Sequence, residues 1–331
     1  MALRLIQLQT LDAHRFVAAL DGGERATRLE GVESVYALAM NAIEEGISLA
    51  EAASRRRTKD IIVLSDAANG LRLLAPIDHP DPAHLHLTGT GLTHLGSAES
   101  RDRMHALAAA GGAQTDSMRI FLQGLKGGKP AAGTVGCQPE WFYKGNGFSV
   151  VATDNDLPVP SFALDGGEES EIAGIYIIDP AGGARRLGFC LANEFSDHVT
   201  ERENYLWLAH SKLRQAALGP ELLTGALPAN VQGTSALLRN GATIWQKPFL
   251  SGEDNMSHTV ANLEHHHFKY DLFRKPGDVH VHFFGCGTLS FADGIKTQEG
   301  DVFEIRADAF LLPLRNRMSA AAPARFSVQP L

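Results

Sequence analysis

Two glutamates stand two residues apart where an acidic stretch meets an apolar one, in the segment GGEESEIAGIYIID of residues 166–179. The isoleucines and the tyrosine are typical strand formers. Alternate residues of a strand point to the same face, so Glu169 and Glu171 are expected to share one. Such a pair usually indicates a solvated strand face. The alternative is a site for a divalent cation, because Mg²⁺ prefers carboxylate oxygens in near-octahedral coordination.

A magnesium site of this kind needs a third carboxylate from another part of the chain. The segment GFCLANEFSDHV, which contains the next predicted strand, offers Glu194 and Asp197 just past that strand. Either residue is placed to complete the set.

Composition and charge exclude several classes of function. The chain has 331 residues, of which 44% are hydrophobic and 21% charged, and its net charge is −8. A negative chain without a basic run is unsuited to nucleic acid or an anionic membrane. No apolar run approaches the roughly 20 residues that span a bilayer, and the first ten residues do not resemble a signal peptide. The three cysteines include no CxxC pair, which favours a reducing cytoplasm.

Familiar nucleotide-binding and hydrolase motifs are incomplete. In GTGLTHLG, His94 stands where a GxGxxG motif needs its third glycine, and in GLKGGKP, Pro130 replaces the serine or threonine of a phosphate-binding loop. A GxSxG serine motif is also lacking in the sequence.

The elements that must position the acids are mainly strands, with a few helices. Asn240 and Gly241 predict the type I′ turn of a hairpin, and Gly219-Pro220 is expected to end a helix. Residues 75–89 are rich in proline and histidine and are predicted to form a segment that crosses the fold. Helices are predicted over residues 32–56, 101–110, 115–125, 201–218 and 256–273, and strands over residues 4–10, 61–66, 148–154, 171–179, 186–195, 277–288 and 300–307.

An ordered series of motifs resembles the fumarylacetoacetate hydrolase superfamily over most of residues 85–308. The series is His94 with Glu99 in GLTHLGSAE, the E-x-E of residues 169–171, NEFS at 193–196, a lysine before a Gly-Pro turn, the Asn-Gly hairpin, GDVHVHFFGCGT and GDVFEI. Several motifs in the family's order are more specific than any one of them.

The sequence departs from the common pattern of the superfamily at four points. Glu194 stands where aspartate is usual, SDHV replaces SARD, LSF follows Thr288, and His94 and Glu99 are further apart than usual. The segment from residue 193 to 222 looks more like the branch that dehydrates 2-keto-3-deoxy sugar acids.

The resemblance implies a fold and a domain division. The expected fold is α+β and mainly β. A smaller N-terminal α/β domain with a lid segment would occupy residues 1–115, and a catalytic core built as a mixed β-sheet roll would occupy residues 116–331. A homodimer is the family expectation.

The resemblance also implies the chemistry. Glu169, Glu171 and Glu194 would hold Mg²⁺, with Mn²⁺ or Ca²⁺ as possible substitutes, and the ion would chelate a 2-oxo acid and stabilise its enolate. His94, oriented by Glu99, would transfer protons on the leaving side, and a pKa near 6.5 suits that role.

Three further residues receive roles from the resemblance, and each has a plainer alternative. Lys212 would bind the keto or enolate oxygen or move the methylene proton; otherwise it is a solvent-facing helix lysine. Thr288 would bind the substrate carboxylate; otherwise it is a turn residue. Lys144 would add positive charge near the anion; otherwise it lies on the surface.

The remaining histidines and cysteines are assigned to structure. Adjacent residues of a helix point about 100° apart, so His265, His266 and His267 are assigned to surface and packing. His280 and His282 share a strand face but make a poor Mg²⁺ site. The cysteines read as buried small apolar residues.

Three functions remain open at this point. The leading one is a dehydratase of a 2-keto-3-deoxypentonate that gives 2,5-dioxopentanoate. The second is a metal-dependent hydrolase that cleaves a C–C bond of 2,4-dioxo acids, and the third is a non-catalytic sugar-acid-binding protein.

Overall fold

The computed structural model describes residues 2–65, 70–95 and 115–331. Eighteen strands lie in these ranges. They are β1 Arg4–Thr10, β2 Arg15–Gly22, β3 Arg25–Leu29, β4 Arg57–Val63, β5 Leu71–Leu73, β6 Leu85–Gly89, β7 Phe142–Asn146, β8 Val150–Ala152, β9 Asp156–Val159, β10 Ser170–Ile178, β11 Ala184–Asn193, β12 Ala216–Leu218, β13 Glu221–Leu223, β14 Val231–Arg239, β15 Ala242–Ser251, β16 Val279–Phe283, β17 Val302–Ala307 and β18 Leu314–Ala320.

The α-helices of the same ranges are few and short, so the prediction of a mainly β protein is confirmed. They are α1 Val35–Glu45, α2 Leu49–Arg55, α3 Asp116–Gly127, α4 His198–Glu203, α5 Leu208–Lys212 and α6 Val260–Phe268. None of these helices has the length and apolar character needed to cross a membrane. The helix predicted over residues 101–110 lies outside the described residues.

Two sheets organise the chain. The larger has 13 strands in the main order β4-β3-β2-β1-β13-β11-β10-β16-β6-β7, and the smaller has the order β15-β14-β17-β18-β9. The strands of the N-terminal segment thus continue into the sheet that contains β10 and β11. The division at residue 115 stays a prediction.

Strand β10 is buried over its whole length because it is covered on both faces. Ala173, Ile175 and Ile177 pack into a core with α1 and α2. Ile172 points the other way, into a core between the two sheets. This alternation places Glu169 and Glu171 on the face of Ala173.

The helix predicted over residues 32–56 is divided at Gly46 into α1 and α2, and two further predicted elements are wrong in part. The helix expected over residues 201–218 ends at Lys212, because Ala216–Leu218 form a buried strand that pairs with β11 and β8. The crossing segment of residues 75–89 ends in β6, which lies in parallel register beside β16. In both cases the conformation of the segment is determined by pairing with strands that are distant in the sequence. A local sequence pattern does not reveal such pairing.

The hairpin at Asn240 and Gly241 is confirmed. Both residues have positive φ, 52° and 80°, as a type I′ turn requires. The turn joins β14 to β15 in the smaller sheet.

Candidate active site

Glu169 and Glu171 lie at the start of β10 and are buried, with 4% and 1% of their surface exposed. The alternative of a solvated strand face is therefore wrong. The neighbouring Ser170 points to the opposite face, where its hydroxyl donates to Ser235 at 2.7 Å.

Glu194 joins this pair from the end of β11. The backbone N–H of Glu194 donates to the carbonyl of Glu169 at 3.0 Å, which aligns the two strand ends. The Glu194 side chain is fully buried. Asp197, the other acid that the sequence offered, instead caps α4 and pairs with Arg214 at 2.9 Å.

Two lysines contact the acidic group. Lys212, at the end of α5, pairs with Glu169, and its Nζ lies 2.7 Å from Glu194 Oε2. Lys144, on β7, lies 2.6 Å from the other oxygen of Glu194. Both ammonium groups are buried, so the solvent-facing alternatives for these lysines are wrong.

The electrostatics of the group follow from burial and proximity. Burial raises the pKa of Glu171 well above its usual range, and the nearby charges of Glu194 and Glu169 raise it further. Burial also raises the pKa of Glu194, although Lys144 and Lys212 oppose that shift. Burial lowers the pKa of Lys144.

The two glutamates at the start of β10 fit a hard divalent cation, while Glu194 adjoins the set of close donor atoms without belonging to it. Donor atoms of Glu169, Glu171 and Cys286 lie within 4.8 Å of one another, and Glu194 is held to Glu169 through Lys212. A carboxylate offers about four lone-pair sites, so these oxygens can bind an ammonium group and an ion together. A cation would also remove the repulsion that raises the pKa of Glu171.

Gly285 lies between His94 and the buried carboxylates. Its N–H donates to Glu171 at 2.7 Å, and a methyl group added to it would lie 3.6 Å from His94 Nδ1. That methyl group would also come within 2.4 Å of the Thr93 hydroxyl, and the φ of Gly285 is +95°. Only glycine allows this close approach.

His94 differs from expectation in its pKa. The ring is buried, Nε2 lies 3.0 Å from the Ser251 hydroxyl, and burial lowers the pKa to about 4. The expected pKa near 6.5 is therefore wrong, and the imidazole is neutral at pH 7. Glu99, its predicted partner, lies outside the described residues.

Thr288 lies in the half-buried loop after β16, where its hydroxyl donates to the carbonyl of Pro248 at 3.1 Å. The same loop is anchored by Glu168, which accepts hydrogen bonds from the backbone and hydroxyl of Ser290, both at 2.7 Å. The binding role of Thr288 stays a prediction.

Two residues that touch Glu169 were not predicted from the sequence. His198 Nε2 lies 3.1 Å from Glu169 and its Nδ1 lies 3.5 Å from Asp165. Although burial lowers the pKa of His198, these two acids raise it to about 10. The Cys286 thiol lies 3.7 Å from Glu169. The unusual SDHV segment and the cysteine between two glycines were the available signals.

No family model matches the sequence, and the search of curated proteins also gave no match. Solved structures do resemble the chain. One is titled "2-keto-3-deoxy-D-arabinonate dehydratase apo form", with 17% identity, a TM-score of 0.69, and coverage of 96% of this chain and 99% of that one. Another is the same dehydratase "complexed with magnesium and 2,5-dioxopentanoate", with 17% identity, a TM-score of 0.68 and the same coverage.

A third similar structure is "5-carboxymethyl-2-hydroxymuconate delta-isomerase" from Mycobacterium smegmatis. It has 17% identity and a TM-score of 0.58, and the match covers 96% of this chain and 99% of that one. At such identities the likeness establishes the fold. The chain has the fumarylacetoacetate-hydrolase fold that its ordered motifs predict.

Proposed function

We propose that the protein is a Mg²⁺-dependent dehydratase of 2-keto-3-deoxy sugar acids, acting on a pentonate to give 2,5-dioxopentanoate. The observation that carries the proposal is the convergence of three buried carboxylates with two buried lysines at the ends of β10 and β11. Burying five ionisable groups in one place costs desolvation free energy, and such clusters are typical of functional sites.

Glu169, Glu171 and Glu194 would hold the ion, with Mn²⁺ or Ca²⁺ as substitutes. When bound, the ion would supply Lewis-acid polarisation of the keto group and so acidify the neighbouring methylene. The buried Lys212 would donate a hydrogen bond to the keto oxygen as it gains charge, an interaction that strengthens in a water-poor site.

Binding of the substrate carboxylate would fall to Thr288, with Lys144 adding positive charge. Lys144 is fixed by the backbone carbonyls of Phe195 and Lys212, at 2.6 and 3.1 Å. A fixed charge contributes without reorganising when an anion arrives.

Proton transfer would fall to His94. A neutral imidazole can accept a proton, and the low pKa of about 4 makes the protonated ring a better proton donor than an ordinary imidazolium. His94 would deliver a proton to the departing β-hydroxyl, which leaves as water while the methylene gives up a proton, and tautomerisation of the resulting 5-hydroxy enone would give 2,5-dioxopentanoate. The lid residue Glu99 would orient it, as the resemblance implies.

The comparisons are compatible with dehydration, because the dehydratase structures resemble the chain more than the isomerase structures do. The dehydratase structures have TM-scores of 0.68 to 0.70, whereas the isomerase structures have 0.57 and 0.58 at similar identity. One dehydratase structure contains magnesium and 2,5-dioxopentanoate. A homodimer in the cytoplasm completes the proposal.

The test is a screen of 2-keto-3-deoxypentonates and 2-keto-3-deoxyhexonates with purified protein and Mg²⁺. The proposal expects a dicarbonyl product that keeps the carbon skeleton and is not formed in EDTA. A 2,4-dioxo acid split into two acids would show hydrolysis instead, and metal-dependent binding without turnover would show a binding protein.

A further inference from the structure

His198 is a buried histidine that stands apart from the histidine cluster around β6 and β16. The rings of that cluster pack against one another, and its members are His86, His267, His280 and His282. His198 instead lies between two carboxylates, with Nε2 3.1 Å from Glu169 and Nδ1 3.5 Å from Asp165. Only 1% of its surface is exposed. His198 therefore adjoins the candidate active site.

The backbone at Gly167 makes room for the imidazole. Gly167 and Ser196 form an isolated bridge, with hydrogen bonds of 2.9 and 3.1 Å between their backbones. A methyl group added to Gly167 would lie 2.4 Å from His198 Nδ1, so the ring lies directly against this backbone. Asp165 and Glu169 stand two residues to either side of Gly167, and one imidazole can therefore reach both carboxylates.

The orientation of the His198 ring is fixed from several sides. The half-buried Phe291 stacks on it, with ring centroids 5.1 Å apart and 28° between the planes. An ionised carboxylate only accepts hydrogen bonds, so Nε2 of His198 carries a proton and donates it to Glu169 Oε1. The stacking and the two acids leave the ring little freedom to turn.

Two donors converge on the same oxygen of Glu169. The Lys212 ammonium also pairs with Oε1. The other oxygen, Oε2, lies 3.7 Å from the Cys286 thiol. Glu169, Glu171 and Cys286 are the residues whose donor atoms lie within 4.8 Å of one another. With Oε1 held by His198 and Lys212, Oε2 is the Glu169 oxygen directed at this set of donor atoms.

We propose that His198 is a positioning residue of the metal site, which holds Oε1 of Glu169 so that Oε2 is the atom offered to the cation. This role rests on the proposed function, in which Glu169 is a metal ligand. Groups that hydrogen-bond to a metal-binding carboxylate fix its orientation, and their removal typically costs 10- to 100-fold in metal affinity or activity.

Mn²⁺ binding by the full-length, chelator-treated protein tests this role, measured by isothermal titration and by the electron paramagnetic resonance signal of free Mn²⁺. His198→Phe keeps a ring to stack on Phe291 but removes the donor, so its dissociation constant for Mn²⁺ should rise about 10- to 100-fold. His198→Gln keeps a donor close to the position of Nε2 and should bind within a few-fold of the wild type. His14→Phe, at an exposed position, is the matched control and should bind like the wild type.

A second variant displaces the ring without removing it. In Gly167→Ala the new methyl group would push His198 away from Glu169, so this variant should lose affinity for Mn²⁺ as His198→Phe does. Circular dichroism establishes that each variant is folded.

The outcomes separate this role from the proposed function. Wild-type affinity in folded His198→Phe and Gly167→Ala would overturn the role of His198 and leave Glu169 as a ligand. An equal loss of affinity in His198→Gln and His198→Phe would also overturn it, because the hydrogen bond would then not be what matters. A wild-type protein that binds no Mn²⁺ would overturn both this role and the proposed function.

Discussion

Glu169, Glu171 and Glu194 lie on one face of the large sheet, whereas His280 and His282 of the neighbouring strand β16 lie on the other. Both groups are buried. The carboxylates are balanced by Lys144, Lys212 and His198. Among the described residues, His280 and His282 form no ion pair with an acid, and burial lowers the pKa of His282 to about 3.

The difference shows two ways to bury ionisable groups. The cluster of three glutamates keeps opposite charges together. This arrangement costs desolvation free energy, but it can stabilise charge that develops during a reaction. The histidine cluster gives up its charge, so its rings pack like aromatic side chains, with His267 and His282 stacked at 4.8 Å.

Removing one carboxylate charge should break the first arrangement. Glu171→Gln keeps the hydrogen bond from Gly285 within reach but removes a proposed ligand, so we expect loss of Mg²⁺ binding and a loss of activity of about 10³-fold or more. Titration calorimetry and steady-state kinetics measure the two effects. Glu304→Gln, on the smaller sheet, is the control, and full activity of an EDTA-treated Glu171→Gln protein would refute the ligand assignment.

His94→Ala tests whether this neutral, buried histidine transfers protons. We expect kcat to fall by about 10²- to 10⁴-fold, while binding of pyruvate as a simple 2-oxo acid is retained. Calorimetric titration with pyruvate provides the second readout. Loss of pyruvate binding would contradict a role limited to proton transfer.

Removing a lysine should destabilise the protein, because it leaves buried carboxylates unbalanced. Lys212→Met is expected to lower the free energy of unfolding by about 3–5 kcal/mol, and Mg²⁺ should restore part of the loss. Lys247→Met removes an exposed pair with Asp293 and should cost about 0–1 kcal/mol. Equal losses in the two variants, measured by urea unfolding, would count against a buried ionic group.

The histidine cluster should weaken the protein in acid. His282 has an unfolded pKa of 6.5 and a folded pKa of about 3. Between these values the unfolded chain binds the extra proton, so stability present above pH 6.5 is lost as the pH falls. From pH 7.5 to 5, His282 should account for about 2 kcal/mol of that loss.

His282→Gln isolates this contribution. Because the variant lacks His282, its free energy of unfolding should decrease less steeply than that of the wild type as the pH falls. Some decrease should remain, because the neighbours His267 and His280 still titrate. Urea titrations at three pH values measure the slope. Parallel curves for the two proteins would show that His282 is not held neutral.

Thr288→Ala should have the smallest effect. The loss of one hydrogen bond to the charged substrate carboxylate, worth about 1.5 kcal/mol, predicts a KM raised about tenfold with kcat little changed. Steady-state kinetics separate the two constants. A fall in kcat alone would point to a different role for this residue.

The sequence predicted much of the candidate site because its motifs lie at strand ends. Strand alternation placed Glu169 and Glu171 on one face, and the ordered resemblance led to Glu194 and Lys212, which the fold brings into contact. His198 was missed because its contact with Glu169 joins residues 29 apart through a loop that departs from the family pattern. The lowered pKa of His94 follows from burial, which a local pattern does not reveal.

The most direct test of the account is a crystal structure with Mn²⁺ in place of Mg²⁺, examined by anomalous scattering. The account predicts one strong peak in coordination contact with carboxylate oxygens of Glu169, Glu171 and Glu194. A peak elsewhere, or these three side chains splayed apart with no ion between them under saturating Mn²⁺, would contradict it.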